Sequence, residues 1–151
     1  MRISSVLRRV GRGILCVVAL AVIGLALSGT RVSAGEIKWT ASFDKAFQAA
    51  QEKKMPVMID VYTDWCGWCK KLDKDVYTAN GVVELSKKFI CLKLNPDKDK
   101  AHGELFKVEG YPTIIFTSAD QKELHRVVGY RPAQGFQQEM KKALDAFSAQ
   151  K

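Results

Sequence analysis

The sequence predicts an α/β domain with a central mixed β-sheet and helices on both faces. Three short apolar runs rich in β-branched residues, 56–62, 89–95 and 113–117, have the length and composition of buried strands. Segments around these runs repeat apolar residues at helical spacing. The last run is followed by a turn, a second strand-like segment and a closing helix. Strands that alternate with helices before a hairpin favour a sheet with both parallel and antiparallel pairs.

The first half of the domain supplies a helix, a strand and the segment after it. The first predicted helix begins behind Thr40 or Ser42, either of which can cap it. A strand at 56–62 comes next, and a helix over 66–76 follows that strand. We expect a turn at 79–81, which contains Asn-Gly, and a short helix after it. The apolar stripe of the first helix consists of Phe43, Ala46, Phe47 and Ala50.

The second half completes the predicted sheet. The strand at 89–95 precedes a charged break and a helix over 102–107. The strand at 113–117 and its partner at 123–128 form the predicted hairpin. Pro132 is expected just inside the start of the last helix, where its missing N–H does no harm. The predicted buried stripe of that helix consists of Phe136, Met140, Ala143, Leu144 and Phe147.

The N-terminal segment has the pattern of an export signal. Residues 1–12 contain four arginines and no acid, and residues 14–27 are uncharged and dominated by aliphatic side chains. The small residues at 32–34 fit a cleavage site, so we expect residues 1–34 to be a cleaved signal peptide. Residues 35–151 would then form a single domain. The alternative is an uncleaved membrane anchor, because 18 uncharged residues lie between the flanking arginines.

The charge of the predicted mature domain gives no support for nucleic-acid binding. The whole chain has a formal charge of +8, but five of its 24 basic residues and none of its 16 acidic residues precede residue 35. The remaining 19 basic and 16 acidic residues leave a charge of +3, which is ordinary for a soluble surface. We therefore expect no nucleic-acid partner, and we expect a monomer.

The stretch DVYTDWCGWCKK, residues 60–71, contains the predicted chemistry. Its two cysteines, Cys66 and Cys69, follow a strand and open a helix, where unpaired N–H groups and the helix dipole stabilise a thiolate. Cys66 is therefore the expected nucleophile. Cys69, about one turn further on and more buried, can close a disulfide and resolve a mixed disulfide with a partner. Cys16 lies in the predicted signal peptide.

One predicted strand contains an acidic residue among apolar ones. Asp60 interrupts the run VMIDVY, and burial of its carboxylate would raise its pKa towards working pH, as a general acid or base for Cys69 requires. Lys93 in the next strand is the candidate partner. The alternatives are a solvent-facing aspartate at a strand edge and an exposed edge lysine. Cys91 alternates with Lys93, so it should share that face and behave as a buried small hydrophobe.

At this point the residues resemble the thioredoxin family over positions 38–148. The closest resemblance is to secreted bacterial thioredoxins and to the C-terminal domain of the bacterial thiol:disulfide interchange protein. Two departures leave the direction of electron transfer open: Trp68 replaces a proline between the cysteines, and Lys74 replaces a helix-kinking proline. The matching features are Asp60, the run from Trp65 to Lys70, Lys93 in KLN, and the segment from Gly110 to Thr113.

The resemblance implies a thioredoxin fold and an exported, periplasmic thiol–disulfide oxidoreductase. It further implies that Pro112 is a cis-proline facing the disulfide and that the Tyr111 backbone pairs with an extended client. Gly67 between the cysteines belongs to the same client-binding set. Trp65 and Trp68 should offer aromatic area to clients, although Trp65 could instead pack in the core. The expected partners are client proteins with thiols or disulfides and a membrane electron donor.

Other functions fit the sequence less well. Zinc would need two further ligands near the cysteines, and Cys91, His102 and His125 have no paired spacing. Haem attachment requires histidine where Lys70 stands. We therefore expect no metal and no cofactor. The hypothesis is a reductant, because no histidine lies between the cysteines, where strong oxidants often place one. A disulfide oxidase or isomerase and a redox-silent binding module remain as alternatives.

Overall fold

A five-stranded mixed sheet with helices on both faces lies at the centre of residues 35–150, the part of the chain that this computed structural model describes. The predicted α/β architecture is thus confirmed. The strands are β1 (Trp39–Thr40), β2 (Val57–Val61), β3 (Ile90–Leu94), β4 (Thr113–Thr117) and β5 (Glu123–Val128). The helices are α1 (Phe43–Lys53), α2 (Gly67–Asp75), α3 (Asn80–Ser86), α4 (Lys100–Leu105) and α5 (Ala133–Ser148).

The strand order makes β2 the central strand. The order is β1-β3-β2-β4-β5, with β1, β3 and β2 parallel and with β4 antiparallel to both β2 and β5. Asp60 on β2 is paired in register with Lys93 on β3 and with Ile114 on β4. Asp60 therefore has a strand on each side and does not lie at a sheet edge.

Two apolar clusters, one on each face, hold the sheet. Because side chains alternate along a strand, Met58 and Asp60 lie on one face of β2, and Val57, Ile59 and Val61 lie on the other. The first face is covered by α2, α3 and α5, and the second by α1 and by Phe106 at the end of α4. The covering residues of α5 are Phe136, Met140 and Ala143, whereas Leu144 and Phe147 are only half-buried.

The structure differs from the sequence prediction at some element ends. Asn80 and Gly81, predicted to form a turn, begin α3, and a Cβ on Gly81 would come within 2.5 Å of the Gln137 side chain on α5. Gly81 thus lies in a helix that faces α5 and not in a turn. Pro132 is the N-cap of α5 and not its first residue. α4 begins earlier than predicted because the Asp99 side chain caps it.

Some features of the chain were not anticipated or lie elsewhere. The two-residue strand β1 is too short to leave a periodic pattern, and it pairs with β3 through Trp39–Cys91. The predicted signal peptide, residues 1–34, lies outside the described residues. None of the helices within residues 35–150 combines the length and the apolar character that crossing a membrane requires.

Candidate active site

Cys66 and Cys69 form a disulfide at the start of α2. The chain leaves β2 at Val61, turns through a short loop and places Cys66 as the extended N-cap residue of the helix. The Cα atoms of the two cysteines are 5.3 Å apart, and the Cys69 N–H donates to Cys66 Sγ at 3.0 Å. The N-terminal end of a helix favours negative charge, so it stabilises a thiolate on Cys66 after reduction.

The two sulfur atoms differ in access more than in total burial. Cys66 is 6% exposed and Cys69 is 3% exposed, so both residues count as buried. However, Cys66 lines an open groove of about 460 Å³, and Cys69 does not. A partner molecule would therefore reach Cys66 first. The groove is lined by Trp65, Cys66, Gly67, Trp68, Glu109, Gly110 and Tyr111.

Two tryptophans form the most exposed apolar surface beside the disulfide. Trp65 is 70% exposed and Trp68 is 59% exposed, so Trp65 does not pack in the core. The Trp65 ring meets Tyr111 edge-on at 5.7 Å, and its Nε1–H donates to Asp97 Oδ2 at 3.3 Å. The Trp68 ring packs at 5.6 Å against Tyr130. Both indoles are thus oriented by neighbours while their faces remain open to solvent.

The segment before β4 offers an unused backbone edge at the groove. The Tyr111–Pro112 peptide bond is cis, and Pro112 is buried while Tyr111 lines the groove. The Pro112 carbonyl accepts from the Gly129 N–H at 2.8 Å. Among residues 35–150, no hydrogen bond uses the backbone N–H or C=O of Tyr111. These two groups can therefore pair with an extended ligand.

Asp60 is a buried acid between the sheet and α2. It is 1% exposed, and its Oδ2 lies 3.0 Å from Lys93 Nζ. The same ammonium group also hydrogen-bonds Asp73 on α2, one turn beyond Cys69. Asp60 Oδ1 has no hydrogen-bond partner within the described part of the chain. A carboxyl with one unsatisfied oxygen in the interior is poorly stabilised as an anion.

Lys93 is enclosed by acids and aromatic rings. Its ammonium lies 5.2 Å from the ring centroid of Trp39, 4.9 Å from that of Tyr62 and 5.3 Å from that of Tyr77. Burial lowers the pKa of Lys93, but the charges of Asp60 and Asp73 outweigh this and hold it above its ordinary value. Lys93 is therefore a fixed cation that belongs to the site rather than an exposed edge lysine.

Asp60 has a perturbed pKa, and its carboxyl lies close to the disulfide helix. Burial raises the pKa of Asp60 above its ordinary value of 3.8, and the Lys93 charge opposes this only in part. The negative charge of Asp73 also favours the protonated form. Burial likewise raises the pKa of Tyr77 well above its usual range, so its hydroxyl stays neutral beside Asp60.

The outer members of this cluster were not predicted from the sequence. Asp73 could have been found, because it lies four residues after Cys69 and so falls on the same face of the helix. No sequence pattern places the rings of Trp39, Tyr62 and Tyr77 around Lys93, because tertiary packing alone brings them together. Tyr130, which packs on Trp68, was missed for the same reason.

The third cysteine of the domain is held apart from this chemistry. Cys91 is a free, buried thiol on β3, and its Sγ lies 3.6 Å from the Ser86 carbonyl oxygen. Burial raises the pKa of Cys91 to about 12, which keeps it protonated and unreactive at neutral pH. No group of three or more metal-ligating side chains occurs within residues 35–150.

Comparisons with known proteins agree on one family. The sequence profile described as "Thioredoxin-like" matches residues 38–119. The chain is 35% identical over 116 residues to the thiol:disulfide interchange protein DsbD of Klebsiella pneumoniae, covering 73% of this chain and 18% of that protein. It is 31% identical over 121 residues to DsbD of Haemophilus influenzae, covering 76% and 21%. The chain thus spans about a fifth of the length of these relatives.

Solved structures support the same fold. A thioredoxin from Thermus thermophilus superposes with a TM-score of 0.68 at 22% identity, covering 76% of this chain and 92% of that protein. The oxidised C-terminal domain of Neisseria meningitidis DsbD gives a TM-score of 0.61 at 17% identity, covering 70% and 99%. At these identities the structural comparisons establish the fold alone.

The raised pKa of Asp60 leads to a prediction about stability and pH. Between pH about 4 and the raised pKa, the folded protein keeps a proton on Asp60 that the unfolded chain releases. The contribution of Asp60 to stability is therefore lost as pH rises through its folded-state pKa. The free energy of unfolding of oxidised Asp60→Asn, measured by urea denaturation, should match the wild type near pH 4. Near pH 8 the free energy of unfolding of the variant should be at least that of the wild type, and the gain should not exceed about 2 kcal/mol.

The matched control for this prediction is Asp75→Asn on the exposed end of α2. The Lys71 ion pair lowers the pKa of Asp75, so this variant should show no gain at high pH. A large loss of stability in Asp60→Asn at every pH would contradict the account of Asp60 as a destabilised buried acid.

Proposed function

The chain belongs to the thioredoxin-like family of thiol–disulfide oxidoreductases, and we propose that within this family it is an exported reductant of client-protein disulfides. The observation that supports this most is the arrangement of the Cys66–Cys69 disulfide at a helix N-terminus. An aromatic groove lies on one side of that helix, and a buried acid with a raised pKa lies on the other. Such a site has the parts needed to dock a client, exchange electrons and move a proton.

The first step is attack by reduced Cys66 on a client disulfide. The thiolate of Cys66 forms a bond to one client sulfur, and the client S–S bond breaks to release the other sulfur as a thiolate. The groove exposes Cys66 to this approach. The Cys69 N–H and the α2 dipole stabilise the attacking anion before the bond forms.

The second step is resolution by Cys69. Its sulfur attacks Cys66 in the mixed disulfide, the Cys66–Cys69 bond forms, and the remaining client thiolate leaves with its electron pair. Cys69 must lose its thiol proton for this attack, and we assign the acceptor role to Asp60. A pKa raised by burial brings Asp60 closer to the working pH, and Lys93 stabilises the carboxylate between proton transfers.

Client docking uses the groove and its backbone edge. The exposed faces of Trp65 and Trp68 provide apolar contact that does not require one client sequence. The free N–H and C=O of Tyr111 can pair with an extended client segment. Gly67 adds no side chain between the tryptophans, and the buried Pro112 follows the Tyr111 edge immediately before β4.

The reducing direction rests on chemistry close to the cysteines. No histidine lies between them to stabilise the Cys66 thiolate further, and strong oxidants depend on such stabilisation of the reduced form. The relatives that match the sequence are named for disulfide interchange. We propose that residues 1–34 direct export to the periplasm, that a membrane protein donates the electrons and that the domain acts as a monomer.

The roles of the two cysteines can be separated by trapping. Because Cys66 attacks first and Cys69 resolves, Cys69→Ser should accumulate covalent mixed disulfides with client proteins in periplasmic extracts. Cys66→Ser should accumulate few. Non-reducing gels followed by mass spectrometry measure the mixed disulfides of both variants. The matched control is Cys91→Ser added to the Cys69→Ser variant, which should leave its trapping unchanged. Equal trapping by the two variants would overturn the assignment of Cys66 as the nucleophile.

The direction of transfer can be measured by equilibration with glutathione buffers. The oxidised fraction of Cys66–Cys69, followed by tryptophan fluorescence, gives the reduction potential of the pair. We expect the reduction potential of reducing thioredoxins, about −270 mV. A value above about −150 mV would place the protein with the oxidants and would favour the oxidase or isomerase alternative. Absence of any fluorescence change on reduction would favour a redox-silent module.

A further inference from the structure

Two charged side chains near the aromatic groove form no ion pair within residues 35–150. Glu109 is exposed and lines the groove beside Tyr111. Arg131 is exposed next to Tyr130, the ring that packs on Trp68, and its Nη1 donates to the Tyr130 carbonyl at 2.9 Å. The end of the groove near Tyr111 is therefore negative, and the end beyond Trp68 is positive.

Neighbouring charges do not cancel this difference. Among residues 35–150, neither Glu109 nor Arg131 makes an ion pair. Arg126 is influenced by the charge of Glu109, but its guanidinium is paired with Glu123 at 2.6 Å. Of the other charged residues near the tryptophans, Asp64 pairs with Lys98 at 2.8 Å and Lys71 with Asp75 at 2.6 Å. Asp97 accepts from the Trp65 indole and makes no ion pair within residues 35–150, so it adds negative charge at the Tyr111 end, which Trp65 contacts.

The backbone geometry gives the two ends a direction. Antiparallel pairing is the commoner and slightly stronger arrangement for a strand added to Tyr111. In that arrangement, the client residues C-terminal to the pairing point run back towards Glu109. The client residues N-terminal to the pairing point run towards Pro112. The Pro112 carbonyl accepts from the Gly129 N–H, so this direction leads to the segment that contains Arg131. Gly129 adopts a φ of +80°, which turns the chain out of β5 and presents Tyr130 and Arg131.

We propose that this groove selects clients by the order of charges around the reacting cysteine. The preferred segment has an acidic residue two positions before the cysteine and a basic residue two positions after it. Residues at these positions point to the same side of an extended strand as the cysteine, at a distance of about 7 Å along it. The proposal rests on the proposed function, because it concerns the clients of the same site.

The test uses two capped pentapeptides of identical composition, Glu-Ala-Cys-Ala-Lys and Lys-Ala-Cys-Ala-Glu, each as its homodisulfide. Reduced Cys69→Ser protein attacks the peptide disulfide through Cys66, which forms one mixed disulfide and releases one peptide thiol. The released thiol is measured by stopped-flow at pH 7. The acid-first peptide should react about fivefold faster at low salt, as expected for two exposed ion pairs, and less than about twofold faster at 0.5 M salt.

Substitutions in the protein should alter this preference. Exchange of the two charges, Glu109→Arg with Arg131→Glu, should reverse it, and Glu109→Gln alone should reduce it. The matched control, Glu52→Arg with Lys141→Glu, exchanges exposed charges on α1 and α5 and should retain the preference. Equal rates for the two peptides would overturn the charge-order proposal while leaving the proposed function intact, and faster reaction of the base-first peptide would overturn it too. If neither peptide reacts faster with the Cys69→Ser protein than with the Cys66→Ser protein, the proposed function itself is contradicted.

Discussion

The burial of Asp60 on the central strand is the constraint on which the rest of the site depends. A carboxyl that is 1% exposed and flanked by two strands must either hold a proton or have a cation nearby, because desolvation disfavours its ionised form. Lys93 supplies that cation from β3 at 3.0 Å. Burial still outweighs the attraction, so the pKa of Asp60 remains raised. The protonated form of the acid is therefore favoured more than it would be in water.

The same cation also positions the helix that carries the disulfide. Lys93 bonds Asp73 on α2, so β2, β3 and α2 meet at one ammonium group. This contact, together with burial of Leu72 on the sheet, fixes α2 and hence the orientation of Cys66 and Cys69 at its start. In our proposal, electrons pass on the groove side of the helix N-terminus and the proton passes on the sheet side. A docked client then does not have to expose Asp60.

The sequence predicted those parts of the site that depend on local order or on strand register. Cys66 at a helix N-terminus follows from the strand-to-helix junction, and the Asp60–Lys93 contact follows from two adjacent parallel strands. The exposure of Trp65 could not be decided, because it depends on the Asp97 and Tyr111 contacts from distant loops. Gly81 was misassigned for a related reason, since the Gln137 side chain that it faces belongs to a helix far along the chain.

The most direct test of the central claim is the pH profile of the resolving step. Single-turnover release of the second client thiol would be followed in reduced wild type and in Asp60→Asn between pH 5 and 9. If Asp60 accepts the proton of Cys69, the variant should be slower by about 10²-fold near neutral pH and should approach the wild type at high pH. Superimposable profiles would contradict the account, because they would mean that Asp60 serves only as the structural partner of Lys93.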